Sequence, residues 1–469
     1  MTNTQSHKSE VLIVGAGVLG TSTALSLSRH QKYTNSHITI LDAAPQLPNS
    51  SGASIDTSRI LRADYAVEAY TRLVSEARSL WLDCSDDGWG GQGRYHDARL
   101  LLTELPGVEG HVDGYLEESL TNLRRLAASG KSGFHDEALT ELYNREAIRR
   151  QAPFPGVSGN TGYVNDNCGW VNAEACVRYA YKQIQKVGEN RITIKSNARV
   201  RGLLTEKYAS TGTATTRCCG VELDDGSLVR ADLVVLAAGA WTSSLIDLGG
   251  RAVATGQVLS YLTLSDEEQE TLKSSPMYFN VSRGMFMVPP HHNELKLGRH
   301  GFGYQNPKQV QFSKLELATD GSSSQRTESQ AVVSIPRTDL PIPAEAEAAC
   351  RDFLVDLNPQ WKDRNFTKTR LCWYCDTPTG DFLIDYHPQY ADLFIATGDS
   401  GHVFKLFPVI GDKVVDAIEG CLNEEYRSLW RWRDDPPDKF VGVNDGTRGG
   451  RHGMILEQET CRGMPRAQL

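Results

Sequence analysis

The N-terminal part of the chain carries an apolar run of strand length that stops at glycines and continues as a helix-like pattern. The run occupies residues 10–14, and apolar positions then recur at helical spacing as far as Arg29. Between the two lie Gly15, Gly17 and Gly20, at G-x-G-x-x-G spacing. In a dinucleotide-binding unit the first such glycine permits a tight turn, the second lets the backbone approach a pyrophosphate, and the third lets the helix pack on the strand. The N-terminus of the helix then faces the phosphates.

A second apolar run, 38–41, completes a strand–helix–strand pattern and ends in Asp42. An acid at this position is placed to accept hydrogen bonds from a ribose. The gap from Gly15 is a little long, and we assign the extra length to a loop at 33–37. Glycine-rich turns also occur for packing reasons alone, and FAD and NAD share an ADP half. The pattern therefore predicts a dinucleotide-binding unit without deciding between the two cofactors.

The middle of the chain predicts further strands and helices around this unit. Segment 231–241 is small and aliphatic, which indicates a buried parallel strand. It contains an Ala-Gly ending that is common where a strand returns to the nucleotide in FAD-binding proteins, although an ordinary core strand has the same pattern. The other predicted elements are a helix at 173–187, a strand at 191–195, and a hairpin of 219–223 with 228–230 around Asp225 and Gly226.

Beyond Gly256 the pattern favours a sheet-rich second domain. A polar, low-complexity segment at 320–330 predicts a mobile surface loop. The tail, 434–469, is rich in Gly, Arg and Asp and predicts either a covering strap or partial disorder. The remaining predicted elements are a strand at 257–264, strand-like pieces within 277–297, an amphipathic helix at 344–357, strands at 381–385 and 393–397, and a helix at 408–419 with proline near its first turn.

Composition narrows the range of partners. The chain has 469 residues and a net charge of −9, so no general positive field holds nucleic acid or an anionic membrane, and we expect neither partner. We find neither a membrane-length apolar run nor a secretory signal, and the last three residues, 467–469, only weakly resemble the Ser-Lys-Leu peroxisomal signal. We therefore expect a cytoplasmic or peroxisomal monomer. Its ten cysteines lack zinc-site spacing, which predicts reduced thiols and no metal.

Four parts of the chain carry motifs in a characteristic order: 15–20, 54–62, 295–300, and a C-terminal block formed by 372–378, 382–388 and 398–405. Together they resemble the sarcosine oxidase family of flavin amine oxidases, which also contains pipecolate, saccharopine and fructosyl amino acid oxidases. The resemblance spans most of the chain. The glycine motif is shared by many unrelated enzymes, whereas the order and spacing of the C-terminal block are highly specific.

The resemblance implies an α/β fold in which a Rossmann-type FAD-binding domain is joined to a second, sheet-rich α+β substrate domain. Since the motifs lie at both ends and in the middle of the chain, each domain is expected to be assembled from separate segments, with the ligand at their junction. We assign 1–85, 160–250 and 366–433 to the FAD-binding domain, 86–159 and 251–365 to the substrate domain, and 434–469 to the tail.

The resemblance also implies roles for two residues beside the flavin. Cys372 matches the cysteine that is bonded to the 8α methyl group of FAD, and Cys375, three residues later, would point to the other face of a strand. Lys296 matches a lysine that promotes reoxidation of the flavin by molecular oxygen. A fixed positive charge in a low-dielectric pocket stabilises the superoxide that forms first. Without the resemblance, Cys372 would be interpreted as a core thiol and Lys296 as an exposed strand residue.

Other matching positions imply contacts to the substrate and the cofactor. Arg62 and Lys405 match the residues that bind the substrate carboxylate, one as a planar fork and one as a point charge. Arg59 matches an arginine that supports the cofactor. Gly401 and His402 lie in the last segment of the C-terminal block, where backbone N–H groups and the following helix are predicted near the flavin C2 carbonyl.

Five residues have two interpretations each. His300 and His402 match positions near the flavin ring, but a histidine satisfied within the core has the same pattern. The aromatic side chains of Tyr261, Phe286 and Tyr304 are candidates for a wall of the substrate pocket, or for ordinary core residues.

The implied reaction is oxidation of a secondary-amine amino acid by oxygen, giving an imine and hydrogen peroxide. The imine is either hydrolysed or trapped in a ring, and the second fate suits alkaloid-type secondary metabolism. Segment 51–56 lacks the Gly-Asn-Asp-Leu form associated with fructosyl amino acid oxidases, which argues against a sugar-bearing substrate. A fructosyl amino acid oxidase remains an alternative, followed by an NAD-dependent dehydrogenase and a noncatalytic FAD-binding protein.

Overall fold

The computed structural model describes residues 9–130, 133–188, 191–210, 213–318, 323–437 and 439–462. The strands, numbered in chain order, are β1 (Glu10–Val14), β2 (His37–Leu41), β3 (Arg59–Leu61), β4 (Tyr95–Asp97), β5 (Leu100–Glu104), β6 (Leu139–Leu142), β7 (Thr161–Asn165), β8 (Gly169–Val171), β9 (Ile192–Lys195), β10 (Val200–Ser210), β11 (Thr213–Leu223), β12 (Leu228–Arg230), β13 (Leu233–Leu236), β14 (Val253–Thr263), β15 (Met277–Asn280), β16 (Met285–His291), β17 (Glu294–Gln305), β18 (Pro307–Leu317), β19 (Gln325–Ser334), β20 (Lys368–Asp376), β21 (Leu383–Tyr386), β22 (Leu393–Thr397) and β23 (Met454–Ile455). The helices are α1 (Val18–Arg29), α2 (Glu68–Trp81), α3 (Tyr115–Ala128), α4 (Arg145–Arg149), α5 (Ala173–Gly188), α6 (Asp266–Leu272), α7 (Ala344–Leu357), α8 (Ile410–Ile418), α9 (Glu424–Trp430) and α10 (Leu456–Arg462).

A six-stranded sheet contains the predicted dinucleotide-binding unit. Its strand order is β21-β22-β13-β1-β2-β9, and the strands are parallel except for β21, which runs antiparallel to β22. In the register, Val11 of β1 lies opposite Leu233 of β13 on one side and Ile38 of β2 on the other. The predicted strand–helix–strand unit and the buried parallel strand within 231–241 are therefore confirmed.

Both faces of this sheet are covered, which explains its continuous apolar strands. Successive side chains of a strand point to opposite faces. Val11 and Ile13 accordingly pack in the core formed with α1, α5 and α8, whereas Leu12 and Val14 pack against β10 and β11 of another sheet.

A larger, mixed sheet lies beside it, in the order β20-β14-β17-β16-β15-β5-β7-β6, with β23 added along β17. One face of this sheet packs on α7 in a separate core, to which β17 contributes Leu295 and Leu297. Lys296 stands between these two residues, so alternation turns it to the opposite face. The sheet-rich character expected beyond Gly256 is confirmed.

The loop predicted at 320–330 is wrong for residues 325–330. These residues belong to β19, which pairs antiparallel with β18 in a five-stranded sheet of order β12-β11-β10-β18-β19. The first part of the strand, 325–330, has no apolar alternation, and all of its side chains are exposed. It is held by main-chain pairing and by polar contacts between strands, such as Arg326 with Glu222 at 2.6 Å. Residues 319–322 lie outside the described part.

The described part of the tail runs along the large sheet. Met454 of β23 lies opposite Tyr304 of β17, and α10 follows directly. This arrangement agrees with a covering strap for 439–462. A three-stranded sheet, β3-β8-β4, completes the fold, and within the described ranges no helix is long and apolar enough to cross a membrane. The division into two domains with the boundaries given above remains a prediction.

Candidate active site

A cavity of about 880 Å³ extends from the turn between β1 and α1 to the segment that follows β22. Five of the residues singled out from the sequence line it, namely Gly15, Gly17, Asp42, Arg59 and Gly401. The glycine turn forms one end of the cavity. The other end is formed in part by Arg59 and by Tyr374 of β20.

The three glycines differ in the room that a side chain would have at each position. Gly15 has a φ of +111°, and a Cβ there would lie 2.3 Å from the carbonyl oxygen of Ala237. A Cβ on Gly20 would lie 2.0 Å from the carbonyl oxygen of Gly15, so the close packing of α1 on β1 requires glycine. Gly17, at the N-cap of α1, meets only Ser54 Oγ, at 3.1 Å. The turn is thus a side-chain-free cradle at a helix N-terminus, which fits the pyrophosphate of a dinucleotide.

Asp42 is oriented by the backbone at the end of β2. Its Oδ2 accepts a hydrogen bond from the N–H of Ala16 at 3.0 Å, and its Oδ1 accepts one from Ala44 at 2.9 Å. The carboxylate therefore faces the cavity in a fixed orientation and retains lone pairs that a ribose hydroxyl can use.

At the other end, one buried carboxylate binds two cations. Lys296 Nζ lies 2.6 Å from Asp56 Oδ2, and Arg59 Nη1 donates to the same oxygen at 2.6 Å. The hydroxyl of Tyr261 donates to Asp56 Oδ1 at 2.7 Å. Arg59 Nη2 also lies 3.8 Å from the sulfur of Cys372. The side chains predicted to serve attachment, cofactor support and oxygen chemistry therefore form one cluster.

Burial and pairing set the charges in this cluster. Burial by itself raises the pKa of Asp56, but Lys296 and Arg59 outweigh it and hold that pKa well below the ordinary range. Burial lowers the pKa of Lys296 to about 8, against the opposing effect of Asp56. With two cations and one carboxylate, the cluster has one excess positive charge while Lys296 is protonated.

The two cysteines of β20 point to opposite faces, as predicted. Cys372 contacts Leu259 and Tyr261 on the side of the charged cluster. Cys375 lies in the core behind the six-stranded sheet, where Thr397 Oγ1 is 3.2 Å from its sulfur. Burial raises the pKa of Cys375 to about 12, so this thiol is inert at neutral pH.

Arg62 and Lys405 converge on one tyrosine. The guanidinium carbon of Arg62 lies 5.3 Å, and Lys405 Nζ 5.2 Å, from the ring centre of Tyr65. Arg62 is held by the carbonyl oxygen of Asp64 and by the hydroxyl of Tyr115, at 3.0 Å. Lys405 donates to the Tyr65 hydroxyl at 2.8 Å. No carboxylate lies within salt-bridge distance of either cation among the described side chains.

The pKa directions of the two cations differ. Burial, followed by repulsion from Arg62, lowers the pKa of Lys405 well below its ordinary value. Burial also acts to lower the pKa of Arg62, but Tyr115 and Tyr65 outweigh it and the guanidinium stays charged. A bound carboxylate would raise the pKa of Lys405 again, so its binding and the protonation of Lys405 are coupled.

His402 is part of the same hydrogen-bond chain. Its Nε2 lies 2.9 Å from the carbonyl oxygen of Gly380, and its Nδ1 lies 3.1 Å from the Tyr65 hydroxyl. Burial and the neighbouring Lys405 lower the pKa of His402 well below its usual value. The neutral ring therefore carries its proton on Nε2, donates it to the carbonyl, and accepts from Tyr65 at Nδ1.

Arg448 is a site residue that the motifs did not reveal. It comes from the tail and its side chain is fully buried. Its Nη2 lies 3.0 Å from Asp376 Oδ1, and its guanidinium carbon lies 5.6 Å from the ring centre of Tyr374. His300 Nδ1 lies 3.5 Å from the Tyr374 hydroxyl on the same side. In the sequence, Arg448 is one arginine in a glycine-rich tail. The tail has no hydrophobic periodicity from which the burial of Arg448 could be predicted. Asp56 was also missed, although it lies inside the motif segment 54–62.

Of the two interpretations left open for Tyr304, the structure agrees with the core residue. Its ring lies in the core between the large sheet and α7, where its hydroxyl donates to Glu345 beside Arg299. The β-strand alternation of β17 is interrupted before this residue by Gly301 and Gly303. Phe286, by contrast, packs beside Cys372 and Tyr261.

Comparisons with known proteins agree with this geometry. The profile of the family described as FAD dependent oxidoreductase matches residues 10–417. The chain is 29% identical to the L-saccharopine oxidase of Schizosaccharomyces pombe over 91% of this chain and 93% of that one. It is 30% identical to the amino acid oxidase imqH of Aspergillus flavus over 90% and 97%. A crystal structure of the fructosamine oxidase Amadoriase II of Aspergillus fumigatus matches with a TM-score of 0.74 and 28% identity, covering 97% of each chain.

These matches confirm the expected fold class, a Rossmann-type FAD-binding domain with a sheet-rich domain. They also bear on the question that the glycine motif left open, since the family is described as FAD dependent. The glycine cradle, the fixed Asp42 and the long cavity are features that suit this cofactor.

The buried ion pair between Arg448 and Asp376 generates a stability prediction. Arg448→Met leaves the buried Asp376 without its cation, and we expect a loss of about 3–5 kcal/mol in the free energy of unfolding. Arg178→Met is the control, because Arg178 pairs with Glu174 through side chains that are 57% and 46% exposed. That change should stay within about 1 kcal/mol. Urea denaturation measures both variants, and equal losses would contradict the structural role of Arg448.

Proposed function

The chain belongs to the FAD dependent oxidoreductase family, and on that premise we propose that it oxidises the C–N bond of a secondary-amine amino acid, with oxygen as electron acceptor. N-methyl amino acids, pipecolate and saccharopine represent the substrate class. The reaction removes two electrons and two protons from the amine, which becomes an imine, and oxygen receives them as hydrogen peroxide. Water then hydrolyses the imine, or an internal nucleophile closes a ring.

The observation that carries this proposal is the pair of buried cations, Arg62 and Lys405, at the ring of Tyr65. Neither forms a salt bridge with a carboxylate side chain in the described residues, and the buried Asp64 acts on both only at longer range, so one anion faces two buried cations. A substrate carboxylate supplies the missing charge, with a fork-shaped contact to Arg62 and a point contact to Lys405.

The same cations favour the reactive form of the amine. An ammonium group placed beside Arg62 and Lys405 is repelled, so the amine loses its proton more readily in the site than in water. The neutral His402 adds no further positive charge, because its single ring proton is donated to Gly380. An amine that carries a carboxylate is thus held by its acid and activated at its nitrogen.

Bound FAD supplies the two-electron acceptor between amine and oxygen. Gly15, Gly17 and Asp42 would hold its ADP half, and Arg59 and Gly401 its flavin half. Cys372, 3.8 Å from the guanidinium of Arg59, is the proposed point of covalent attachment.

Lys296 is the proposed source of the charge that assists the oxygen step. Its ammonium group is buried beside Arg59, and a positive charge fixed in such an environment stabilises the anion that forms when oxygen accepts an electron. We propose this role for Lys296 in the same way as the roles of the other site residues.

Oxidation of fructosyl amino acids is the second candidate, favoured by the likeness to the structure of Amadoriase II. Such substrates are also secondary amines with a carboxylate, so Arg62 and Lys405 serve both. Segment 51–56 argues against the sugar. A cytoplasmic or peroxisomal location remains our expectation.

The test is a visible spectrum of the purified holoprotein during anaerobic addition of sarcosine, pipecolate, saccharopine, N-methyl-tyrosine and fructosyl-glycine in turn. We expect at least one of the first four to bleach the yellow colour, and air to restore it with release of hydrogen peroxide. Bleaching by fructosyl-glycine alone would select the second candidate. Retained colour with every amine would overturn both.

The attachment site makes a separate prediction. Acid precipitation of the wild-type protein should leave the yellow colour in the pellet, whereas Cys372→Ser should release FAD into the supernatant. Cys375→Ser is the matched control, since its side chain lies on the opposite face of the same strand. A Cys372→Ser pellet that remains yellow would refute attachment at this residue.

A further inference from the structure

Asp56 lies at the centre of the charged cluster, and nothing in the reaction as described assigns it a role. Its carboxylate is 2% exposed, and it contacts Lys296 and Arg59 through one oxygen. Lys296 Nζ also donates to the carbonyl oxygen of Ser58 at 2.8 Å, which is a neutral partner. Among the residues that the structure describes, Asp56 is the carboxylate in salt-bridge contact with Lys296.

We propose that Asp56 is a positioning residue for the oxygen step, which keeps the Lys296 ammonium group in place and protonated beside the cofactor. The inference rests on the proposed oxidase function. It adds a residue that acts through Lys296 and that itself exchanges no electrons.

Two hydrogen bonds to the carboxylate and a tie between its loop and a strand fix the position of Asp56. The Thr57 N–H donates to Oδ1 at 2.7 Å, and the Tyr261 hydroxyl donates to the same oxygen at 2.7 Å. The loop that carries Asp56 is tied to β20, because Arg370 donates to the carbonyl oxygens of Ile55 and Gly52 at 2.8 and 2.9 Å. A rigid acceptor therefore determines where the flexible Lys296 side chain ends.

The charges around Lys296 also indicate that Asp56 keeps its ammonium group protonated. Burial disfavours the ammonium form of Lys296, Arg59 adds repulsion, and Asp56 gives the largest opposing effect. Lys296 remains a cation only below about pH 8, and the loss of Asp56 would move that limit to lower pH. The titratable and charged groups around the pair come from β3, β14 and β20, and are Arg59, Tyr261, Lys368, Arg370, Cys372 and Tyr374.

The experiment measures the reaction of oxygen with holoenzyme that has been reduced by light, so that no amine substrate is needed. Rates are recorded from pH 6 to pH 10 for wild type, Asp56→Asn, Lys296→Met and the double variant. If Asp56 acts through Lys296, Asp56→Asn slows the reaction at pH 8 at least tenfold and moves the pH midpoint down by one unit or more. The double variant is then no slower than Lys296→Met.

Two results would overturn the proposal. One is an unchanged pH midpoint in Asp56→Asn. The other is a double variant in which the two losses multiply, since independent effects would show that Asp56 does not act through Lys296. If light-reduced wild type reacts with oxygen and shows the midpoint but no amine bleaches it, the substrate proposal fails while this one stands.

Matched variants separate positioning from general damage. Glu345→Gln removes a carboxylate that also binds an arginine and a tyrosine, but on the opposite face of β17, and should leave the midpoint unchanged. Asp56→Glu keeps the charge and should recover the midpoint in part. If Asp56→Asn fails to bind FAD, the test uses Asp56→Glu. A pH midpoint and an oxygen reaction rate equal to those of wild type in Asp56→Glu would contradict a requirement for exact placement of the carboxylate. Retention of the oxidised flavin spectrum and of the thermal unfolding midpoint shows that each variant is folded.

Discussion

The contact between the Asp56 carboxylate and the cations Lys296 and Arg59 is the interaction on which the rest of the site depends. A single anion between two cations leaves positive charge beside the cavity, with the Lys296 side chain 5% and the Arg59 side chain 18% exposed. Such charge is useful only where it is fixed and desolvated, because solvent would screen it. The hydroxyl of Tyr261 and the backbone of the loop hold the anion, and through it the cations.

Strand alternation in the large sheet separates this chemistry from the hydrophobic core. In β17, Leu295 and Leu297 pack towards α7, while Lys296 between them faces the cluster. In β20, Cys372 faces the cluster and Cys375 faces a core. The same strands therefore contribute one set of residues to the core and the other set to the charged cluster, and a one-residue slip in register would exchange the two sets.

Local features of the sequence predicted the glycine cradle well, because Gly15, Gly17 and Gly20 lie close together along the chain. Residues 325–330 were not recognised as a strand, since pairing with β18, not an apolar pattern, holds them. Asp56 lay in a recognised motif, but its partner Lys296 is distant in sequence, and only the fold brings the two together. Only the resemblance to a known family indicated that motifs distant in the sequence belong to one site, because composition and periodicity carry no such information.

The central claim is that buried positive charge selects a carboxylate-bearing amine. The most direct test compares the dissociation constants of (methylthio)acetate and of its neutral amide, (methylthio)acetamide. (Methylthio)acetate cannot be oxidised at a C–N bond. Changes in the visible spectrum of the oxidised holoprotein report the binding of each compound. The account predicts saturable binding of the acid, weaker at higher pH as Lys405 loses its proton, and at least tenfold weaker binding of the amide. Equal binding of the two compounds at every pH would contradict it.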